Sequence, residues 1–271
     1  MLKIAKIMKD KFNFNKISKA LKKDGYFIFE NYFSNKELKN IKESLLETLN
    51  YIKPSREKDL QKKYYEIKKY NKKLKGNWYN LAPYNIGLLK SLHKDQMIKF
   101  VKKFYKTSVV FSGRPAIHVH DDENLHLLDP HQETSQFARD TLVFWSPLYD
   151  TNQNTGGMAI YKDSHRHGYF RHSLEHPRFG SKSWTKQYTH VSPRIAKKFK
   201  RLELNVKAGS AVLFLSSLIH SGYQTKKKQT VRITITERFN PLKKIPYLKN
   251  HKATIKIPFT GINYNRIHNS T

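Results

Sequence analysis

The stretch GSAVLFLSSLIHSG, residues 209–222, shows the pattern that decides the fold of this chain. A short apolar run is bounded by glycine and serine, which favour turns. The stretch therefore predicts a buried strand and places His220 at a strand end directly before a turn. From about residue 108 onward, further segments also show short apolar or alternating runs bounded by turn-forming residues: SVVFSG, PAIHVHDD, TLVFWSPLYD, GGMAIYKD, RLELNVKAG and QTVRITITERFN. Several short strands separated by turn signals are typical of a β-sandwich or jelly roll rather than of βαβ units.

The N-terminal third predicts helices and one short strand. Apolar residues recur at helical spacing over residues 3–24, and we expect them to pack on the domain; a basic helix lying on a membrane is the alternative. In DGYFIFENYFS, residues 24–34, a turn and a strand precede Ser34, which with Glu37 predicts a capping box for a helix through about Leu49. Two further segments predict helical structure: residues 53–76, as a helix or a mobile loop, and residues 86–105.

The length of 271 residues suits one large domain with a substantial core. We expect a single domain with these parts: a helical support over 1–107, a jelly-roll core over 108–240 with an insertion at 164–200, and a basic tail over 241–271. The absence of cysteine excludes disulfides, thiolate metal ligands and a cysteine nucleophile. No stretch approaches the roughly 18 apolar residues of a spanning helix, and the first residues lack a signal-peptide core, so we expect a cytoplasmic protein.

The charge balance is strongly basic, with 52 Lys and Arg against 21 Asp and Glu and a formal net charge of +31. Such a balance favours polyanionic partners, among them nucleic acid, anionic membranes and phosphorylated or acidic substrates. The lysines are spread along the whole chain, however, which favours a general compositional bias over one dedicated binding surface. The sequence therefore predicts a basic surface without predicting a nucleic-acid function.

The stretch DPHQETSQF, residues 129–137, carries the candidate metal ligands. Residues two apart in a strand point to the same face, so His131 and Glu133 would project together while Gln132 points away. A third ligand must come from elsewhere, and His220 is the candidate because it lies at a strand end directly before a turn. Two histidines and one carboxylate, with three adjacent positions left open, are the ligand set of non-haem Fe(II) that activates oxygen.

The segment QTVRITITERF, residues 229–239, predicts a strand with one polar and one apolar face. We expect the apolar residues, such as Ile233, to pack outward and the polar face, with Arg232 and Thr234, to line the barrel. An inward arginine with a hydroxyl two residues on suits a carboxylate, which it can bind through two hydrogen bonds. We expect this role for Arg232 and not for Arg238, because one hairpin after His220 returns Arg232 to the metal.

Four other histidines offer competing interpretations. His118 and His120 share a strand face, as an HxH pair does in a cupin, and their alternation with apolar residues predicts that they point into the barrel. At least one of them would then contact cosubstrate or substrate. His165 and His167 belong to a predicted loop, and we expect structural or substrate-facing roles for them.

Taken together, these motifs resemble the phytanoyl-CoA dioxygenase-like branch of the Fe(II)/2-oxoglutarate oxygenases over about residues 20–240. The matching pieces, in order, are KKDGYFIFENYFSNKEL, HQE, LVFWSPLYDTNQNTGGM, SHRHG, GSAVLFLSSLIHSG and VRITITERF. The resemblance implies a mainly β fold with flanking helices. Its core would be a double-stranded β-helix, a cupin-like jelly roll of eight strands, behind a helical N-terminal third.

The resemblance also implies roles for individual residues and the use of Fe(II), 2-oxoglutarate and O2. The implied metal ligands are His131, Glu133 and His220, although the family more often has aspartate at the position of Glu133. Near the metal, Arg232 would bind the distal carboxylate of 2-oxoglutarate, with Thr234 as an additional contact. Trp145 would line the cosubstrate pocket or simply belong to the hydrophobic core. His118 would face that pocket.

The implied reaction is hydroxylation of a substrate C–H bond with release of succinate and CO2. Halogenating relatives lose the metal-binding carboxylate, which this chain keeps. The basic balance and the insertion residues Arg166, Arg171, His172 and Arg178 favour a small anionic substrate, such as a sugar, nucleotide-linked or acyl derivative. Two alternatives remain open: a nucleic-acid demethylase with the same iron site, and a non-catalytic basic binding module. No feature of the sequence indicates an oligomeric state.

Overall fold

The computed structural model describes residues 12–71, 84–111, 115–121, 129–133, 140–170, 172–173, 190–223 and 231–244. Its α-helices are α1 (Phe14–Asp24), α2 (Asn35–Ile52), α3 (Leu60–Tyr70), α4 (Ile86–Leu92), α5 (Asp95–Tyr105) and α6 (Pro193–Ala196). Its strands are β1 (Tyr26–Phe29), β2 (Val109–Phe111), β3 (Ala116–His120), β4 (Leu142–Pro147), β5 (Gly157–Tyr161), β6 (His172–Ser173), β7 (His190–Val191), β8 (Arg201–Leu204), β9 (Ala211–Leu215), β10 (His220–Tyr223) and β11 (Arg232–Pro241).

The start of the chain follows its sequence signals. Helix α1 ends at Gly25, whose left-handed backbone (φ 83°) turns the chain into β1. A side chain at Gly25 would also place its Cβ 2.6 Å from His165 Nδ1, so glycine is required there for space as well. The predicted capping box of α2 is present, since Ser34 and Glu37 each bind the other's backbone N–H.

The expectation of one helix over residues 86–105 is wrong, because the helix breaks between α4 and α5. Lys94 adopts an extended backbone at the start of α5. Its ammonium group binds the carbonyl oxygen of Tyr32 at 2.9 Å and Glu37 Oε1 at 2.7 Å. These contacts, to the β1–α2 connection and to the first turn of α2, fix the break against the rest of the domain. In residues 53–76, the predicted helix is α3, which is shorter than that segment.

The strands form two antiparallel sheets and a short extra pair. The larger sheet has the order β1-β9-β4-β11-β2, and β3 also pairs with β11. The smaller sheet has the order β10-β5-β8, and β6 pairs with β7. An apolar cluster lies between the two sheets, with Val143 and Phe214 from the larger one and Met158 and Ile160 from the smaller. The predicted fold, a mainly β jelly roll behind N-terminal helices, is confirmed.

Strand β11 divides the core into an outer and an inner side. Ile233 and Ile235 belong to the cluster in which the larger sheet packs on the helices. Because side chains alternate along a strand, Arg232 and Thr234 project to the opposite side, between the sheets. The outward packing of the apolar face agrees with the sequence pattern, and it places the polar side chains of β11 inside the barrel.

Several sequence expectations fall partly outside the described residues. In the insertion at 164–200, the structure describes a 3₁₀ turn (Ser164–His167), the β6–β7 pair and helix α6. Residues 1–11, most of the basic tail and Arg178 lie outside the described part, and the division of the chain into three parts stays a prediction. Among the described helices, none combines the length and the apolar composition needed to cross a bilayer.

Candidate metal centre and cosubstrate site

The backbone brings the two candidate histidines together. The His131 N–H donates to the His220 carbonyl at 2.9 Å, and the His220 N–H donates to the His131 carbonyl at 3.0 Å. This is an isolated antiparallel bridge, so the expectation that residues 131–133 form a regular strand is not met. The ladder stops because the Glu133 N–H donates instead to Ser216, in the turn that joins β9 to β10.

The candidate ligands His131, Glu133 and His220 each present one atom to a common point, and these atoms all lie within 4.8 Å of one another. Glu133 Oε1 lies 3.9 Å from His131 Nε2 and 3.6 Å from His220 Nε2. Glu133 and His220 are buried, and His131 is only slightly exposed. Two imidazole nitrogens and one carboxylate oxygen at this spacing fit a single Fe(II) ion.

The surrounding backbone fixes which nitrogen of each imidazole is available to a metal. His131 Nδ1 lies 2.7 Å from the carbonyl oxygen of Asp129, and His220 Nδ1 lies 3.1 Å from that of Leu218. A carbonyl oxygen only accepts, so each Nδ1 carries the proton and each Nε2 keeps its lone pair. Metal-binding histidines are oriented by such contacts in other proteins. The edge of Phe214 packs against the His220 ring, with centroids 4.7 Å apart.

The electrostatics keep the ligands in the protonation states that a metal needs. Burial disfavours ionisation of Glu133, but Arg238 and then the neighbouring histidines more than offset it and hold the pKa of this carboxyl well below its usual value. Burial, followed by the proximity of His220, lowers the pKa of His131 to about 3. Near neutral pH the carboxylate is therefore charged and the His131 imidazole is neutral.

Gln132, between the first two ligands, anchors this segment to its surroundings. Its amide nitrogen donates to the carbonyl oxygens of Gly168 and Ser217 at 2.8 and 2.5 Å, and its amide oxygen accepts the N–H of Phe170 at 2.9 Å. The side chain is buried, and none of these three partners is a candidate ligand. Its anchoring role escaped the sequence reasoning, because its partners come from two distant segments.

Arg232 lies inside the barrel and is buried. Its Nη1 donates to the carbonyl oxygens of Gly157 and Tyr223 at 2.6 and 3.1 Å, while its Nε has no hydrogen-bond partner in the described part of the chain. Burial lowers the pKa of Arg232 to about 10. A buried guanidinium held only by carbonyl oxygens is costly unless an anion compensates it, so this arrangement fits a bound carboxylate.

The other predicted pocket residues follow the same inner face. In the sheet register Thr234 lies opposite His118, and Thr236 lies opposite Trp145. Trp145 packs at the margin of the cluster between the sheets, and Thr236 Oγ1 is buried without a hydrogen-bond partner among the described residues. Burial and then the charge of Arg238 lower the pKa of His118 to about 4. The charges of Glu133, Arg232 and His220 also affect the pKa of this imidazole.

The remaining histidine candidates are separate from this site. His165 packs on Gly25, and its Nε2 lies 3.3 Å from the carbonyl oxygen of Lys22. His167 stacks on Phe170. Within the described ranges, the triad is the only group of at least three His, Cys, Asp or Glu side chains with metal-binding spacing. The structure therefore places His165 and His167 in packing, as expected.

Comparison with known proteins agrees with this geometry. The family model described as phytanoyl-CoA dioxygenase (PhyH) matches residues 21–232, a span that includes the three candidate ligands and Arg232. The chain belongs to the phytanoyl-CoA dioxygenase family. No curated protein is similar enough in sequence to be counted as a relative.

Solved structures of low sequence identity share the fold. EctD from S. alaskensis, determined with 2-oxoglutarate and 5-hydroxyectoine, is 13% identical with a TM-score of 0.57; the match covers 84% of this chain and 76% of EctD. The carbocyclase SnoK from nogalamycin biosynthesis is 15% identical with a TM-score of 0.55, covering 83% and 82%. The epimerase SnoN, solved with Fe3+, α-ketoglutarate and nogalamycin RO, is 12% identical with a TM-score of 0.52, covering 84% and 83%.

Family membership confirms the predicted enzyme class and cofactors. Proteins of the phytanoyl-CoA dioxygenase family are non-haem iron oxygenases that use Fe(II), 2-oxoglutarate and O2. The donor set of the triad fits the metal, and the buried Arg232 guanidinium, whose Nε has no hydrogen-bond partner among the described residues, fits the dicarboxylate. The assignment of individual residues to these roles is taken up as a proposal below.

The buried imidazoles predict a characteristic acid sensitivity of the metal-free protein. His118 and His131, with pKa values of about 4 and about 3, take up protons in the unfolded chain near pH 6.5 but in the folded chain only at lower pH. The unfolded state thus binds more protons in this window, and the free energy of unfolding falls as the pH falls from 6.5 towards 4. In His118→Gln the free energy of unfolding should change less steeply with pH, by up to about 1.4 kcal/mol per pH unit.

Urea unfolding in the presence of a chelator, between about pH 7.5 and 4.5, measures these slopes. At the upper end both imidazoles are neutral in either state, so any difference between the two proteins there reports packing alone. Parallel pH profiles for wild type and His118→Gln would contradict the predicted state of His118.

Proposed function

We propose that this protein is a 2-oxoglutarate-dependent hydroxylase of a small anionic organic substrate, with iron held by His131, Glu133 and His220. The proposal rests on three ligand atoms that lie close enough together to bind one metal ion. In addition, Nδ1 of both His131 and His220 is hydrogen-bonded to a backbone carbonyl. With both Nδ1 atoms protonated, each Nε2 turns its lone pair towards Glu133 Oε1, an arrangement that a cation between them would stabilise.

When bound, the iron and 2-oxoglutarate supply the oxidising chemistry with O2, releasing succinate and CO2. The protein's own residues hold and shield these groups. The two Nε2 atoms and Glu133 Oε1 would bind the metal on one side and leave adjacent positions open. Arg232 would hold the distal carboxylate of 2-oxoglutarate, with the partnerless Nε as one donor. Thr234 and His118 line the path between these two ends, and Trp145 would wall it.

The choice of hydroxylation over halogenation rests on Glu133. Halogenation at such a site requires a vacant protein position that a halide can occupy beside the cosubstrate. Glu133 is long enough to reach the common point, and its carboxyl is ionised at neutral pH. With that position taken by a protein oxygen, transfer of oxygen to the substrate is the favoured outcome.

The balance of charges favours an anionic substrate. Between the sheets, Arg232 and Arg238 face one described carboxylate, Glu133, and His118 and His131 are neutral near pH 7. Adding a divalent metal and the two carboxylates of 2-oxoglutarate leaves a surplus of one positive charge. In a site of low dielectric such a surplus attracts an anion and repels a cation. The overall charge of +31 acts in the same direction at long range.

The neighbours in fold support a small-molecule substrate but do not identify it. EctD and SnoN were solved with small organic molecules, and the names of SnoN and SnoK describe an epimerase and a carbocyclase. One fold therefore hosts different reactions, so the fold alone does not identify the substrate or the reaction. A screen of anionic metabolites for succinate release, with Fe(II) and 2-oxoglutarate present, tests the proposal, with His131→Ala as the inactive control.

The first prediction of this proposal concerns the metal ligands. The wild-type protein should bind one Fe(II), or Mn(II) as a surrogate, and His131→Ala should abolish binding because it removes one of three donors. His165→Ala is the matched control, since His165 is another mostly buried imidazole whose contacts are to Lys22 and Gly25. Metal content after anaerobic loading and desalting measures both. Equal metal content in wild type and His131→Ala would refute the ligand assignment.

The second prediction concerns the cosubstrate clamp. Arg232→Ala should weaken binding of 2-oxoglutarate to the metal-loaded protein at least about tenfold, because a two-point contact between charged groups is lost. Its affinity for Mn(II) should stay that of wild type. Arg166→Ala is the control, since this exposed arginine donates to the Lys23 carbonyl. Calorimetric titration measures all three proteins, and unchanged 2-oxoglutarate affinity in Arg232→Ala would rule out the clamp.

The third prediction concerns the product. With a substrate from the screen, turnover under labelled O2 in excess chloride should place one labelled oxygen atom in the product, because Glu133 leaves no position for chloride. Mass spectrometry of the product distinguishes the outcomes. A chlorinated product would reverse this part of the proposal. If the metal-loaded protein consumes no 2-oxoglutarate with any substrate or alone, the enzymatic role of this site is disproved.

A further inference from the structure

Among the described residues, Arg238 makes the shortest contact to the side chain of the candidate metal ligand Glu133. Its Nε donates to Glu133 Oε2 at 2.9 Å, and its Nη2 donates to Oε1 at 3.4 Å. Both side chains are buried. The guanidinium therefore spans the carboxylate from the side of β11, and this contact was not anticipated from the sequence.

The two oxygens of Glu133 have different surroundings. Oε1 faces the two imidazoles, at 3.9 Å from His131 Nε2 and 3.6 Å from His220 Nε2. Oε2 is held by the shorter of the two hydrogen bonds from Arg238. Oε1 is thus directed to the metal position and has only the longer contact to Arg238, whereas Oε2 has the shorter one.

We propose that Arg238 is a positioning residue that restricts Glu133 to binding the metal through one oxygen. The inference rests on the proposed metal site. A carboxylate can bind a divalent ion through one oxygen or two. Glutamate has one more rotatable bond than aspartate, so its carboxylate orientation depends more on outside contacts. If Oε2 also bound the metal, it would compete for one of the three positions that the protein ligands leave open, two of which the chelating cosubstrate requires.

The position of Arg238 is itself fixed from outside the barrel. Its backbone N–H donates to Glu237 Oε1 at 2.7 Å, and Glu237 Oε2 lies 3.0 Å from His93 Nε2, at the end of α4. Glu237 projects to the helical side of β11 while Arg238 projects inward. The helices therefore support the strand at the residue that orients the metal ligand.

The contact also separates the roles of the two inward arginines of β11. Arg238 is engaged by Glu133 across both carboxylate oxygens. Arg232 binds only backbone carbonyls among the described residues and has a partnerless Nε. The dicarboxylate is therefore expected at Arg232, and Arg238 acts on the cosubstrate only through Glu133.

Oxalate and 2-oxoglutarate, titrated into the Mn(II)-loaded protein, test this division. Oxalate chelates a metal but lacks the distal carboxylate that a clamp would hold. Arg238→Ala should weaken both ligands by the same factor, at least about tenfold, because Glu133 then competes for a metal position. Arg232→Ala should weaken 2-oxoglutarate and leave oxalate at wild-type affinity. Water-proton relaxation of Mn(II) follows both titrations and should also report about one fewer exchangeable water in Arg238→Ala.

Arg238→Lys separates geometry from charge and replaces the alanine variant if that variant does not fold. Lysine keeps the positive charge but cannot span both oxygens, so oxalate should still bind at least about threefold more weakly than to wild type. Wild-type oxalate affinity in Arg238→Lys, or in Arg238→Ala, would overturn the positioning role. Loss of 2-oxoglutarate affinity alone would make Arg238 a clamp instead. A wild-type protein that binds no Mn(II) would refute the metal site itself, which is a different outcome.

Discussion

Two backbone hydrogen bonds between His131 and His220 are the constraint on which the candidate site depends. They join the segment after β3 to the start of β10 and set the two imidazole rings with centroids 4.1 Å apart. A shift of one residue in this pairing would turn one imidazole to the opposite face, because side chains alternate along extended backbone. The third hydrogen bond, from the Glu133 N–H to Ser216, then bends the chain so that the carboxylate returns to the same point. The candidate metal position is thus a consequence of backbone register.

Strand β11 connects the helical layer to the candidate metal site. Its outward side chains pack into the helix-facing core, where Glu237 meets His93, while its inward side chains include both arginines of the site. Buried charges are stable only when paired and hydrogen-bonded. Arg238 meets that condition through Glu133, and Arg232 meets it only in part through two carbonyl oxygens. Within the described part of the chain a carboxylate thus compensates Arg238, and under the proposed function the cosubstrate compensates Arg232.

The sequence was sufficient for features that depend on local periodicity. Alternation in residues 229–239 predicted which side of β11 faces the barrel, and the spacing of Ser34 and Glu37 predicted a real capping box. The grouping of His131, Glu133 and His220 was predicted from strand alternation, although in the structure an isolated bridge and the hydrogen bond from the Glu133 N–H to Ser216 bring the three side chains together. The contact between Arg238 and Glu133 was not, since the residues are 105 positions apart and their meeting depends on tertiary register. The anchoring of Gln132 and the helix break at Lys94 are unpredictable for the same reason: their partners lie in distant segments.

The glutamate at position 133 has a physical explanation in this structure. Where the family more often has aspartate, Glu133 places its carboxylate one methylene further from the backbone, and the carboxylate meets two histidines on one side and Arg238 on the other. An aspartate on the same backbone would be drawn back by roughly 1.5 Å, which is enough to break the 2.9 Å contact or to move away from the common point. The longer side chain reaches further from the backbone but has one more rotatable bond. The arginine restricts rotation about that bond, so the glutamate and Arg238 are best understood as a single unit of the site.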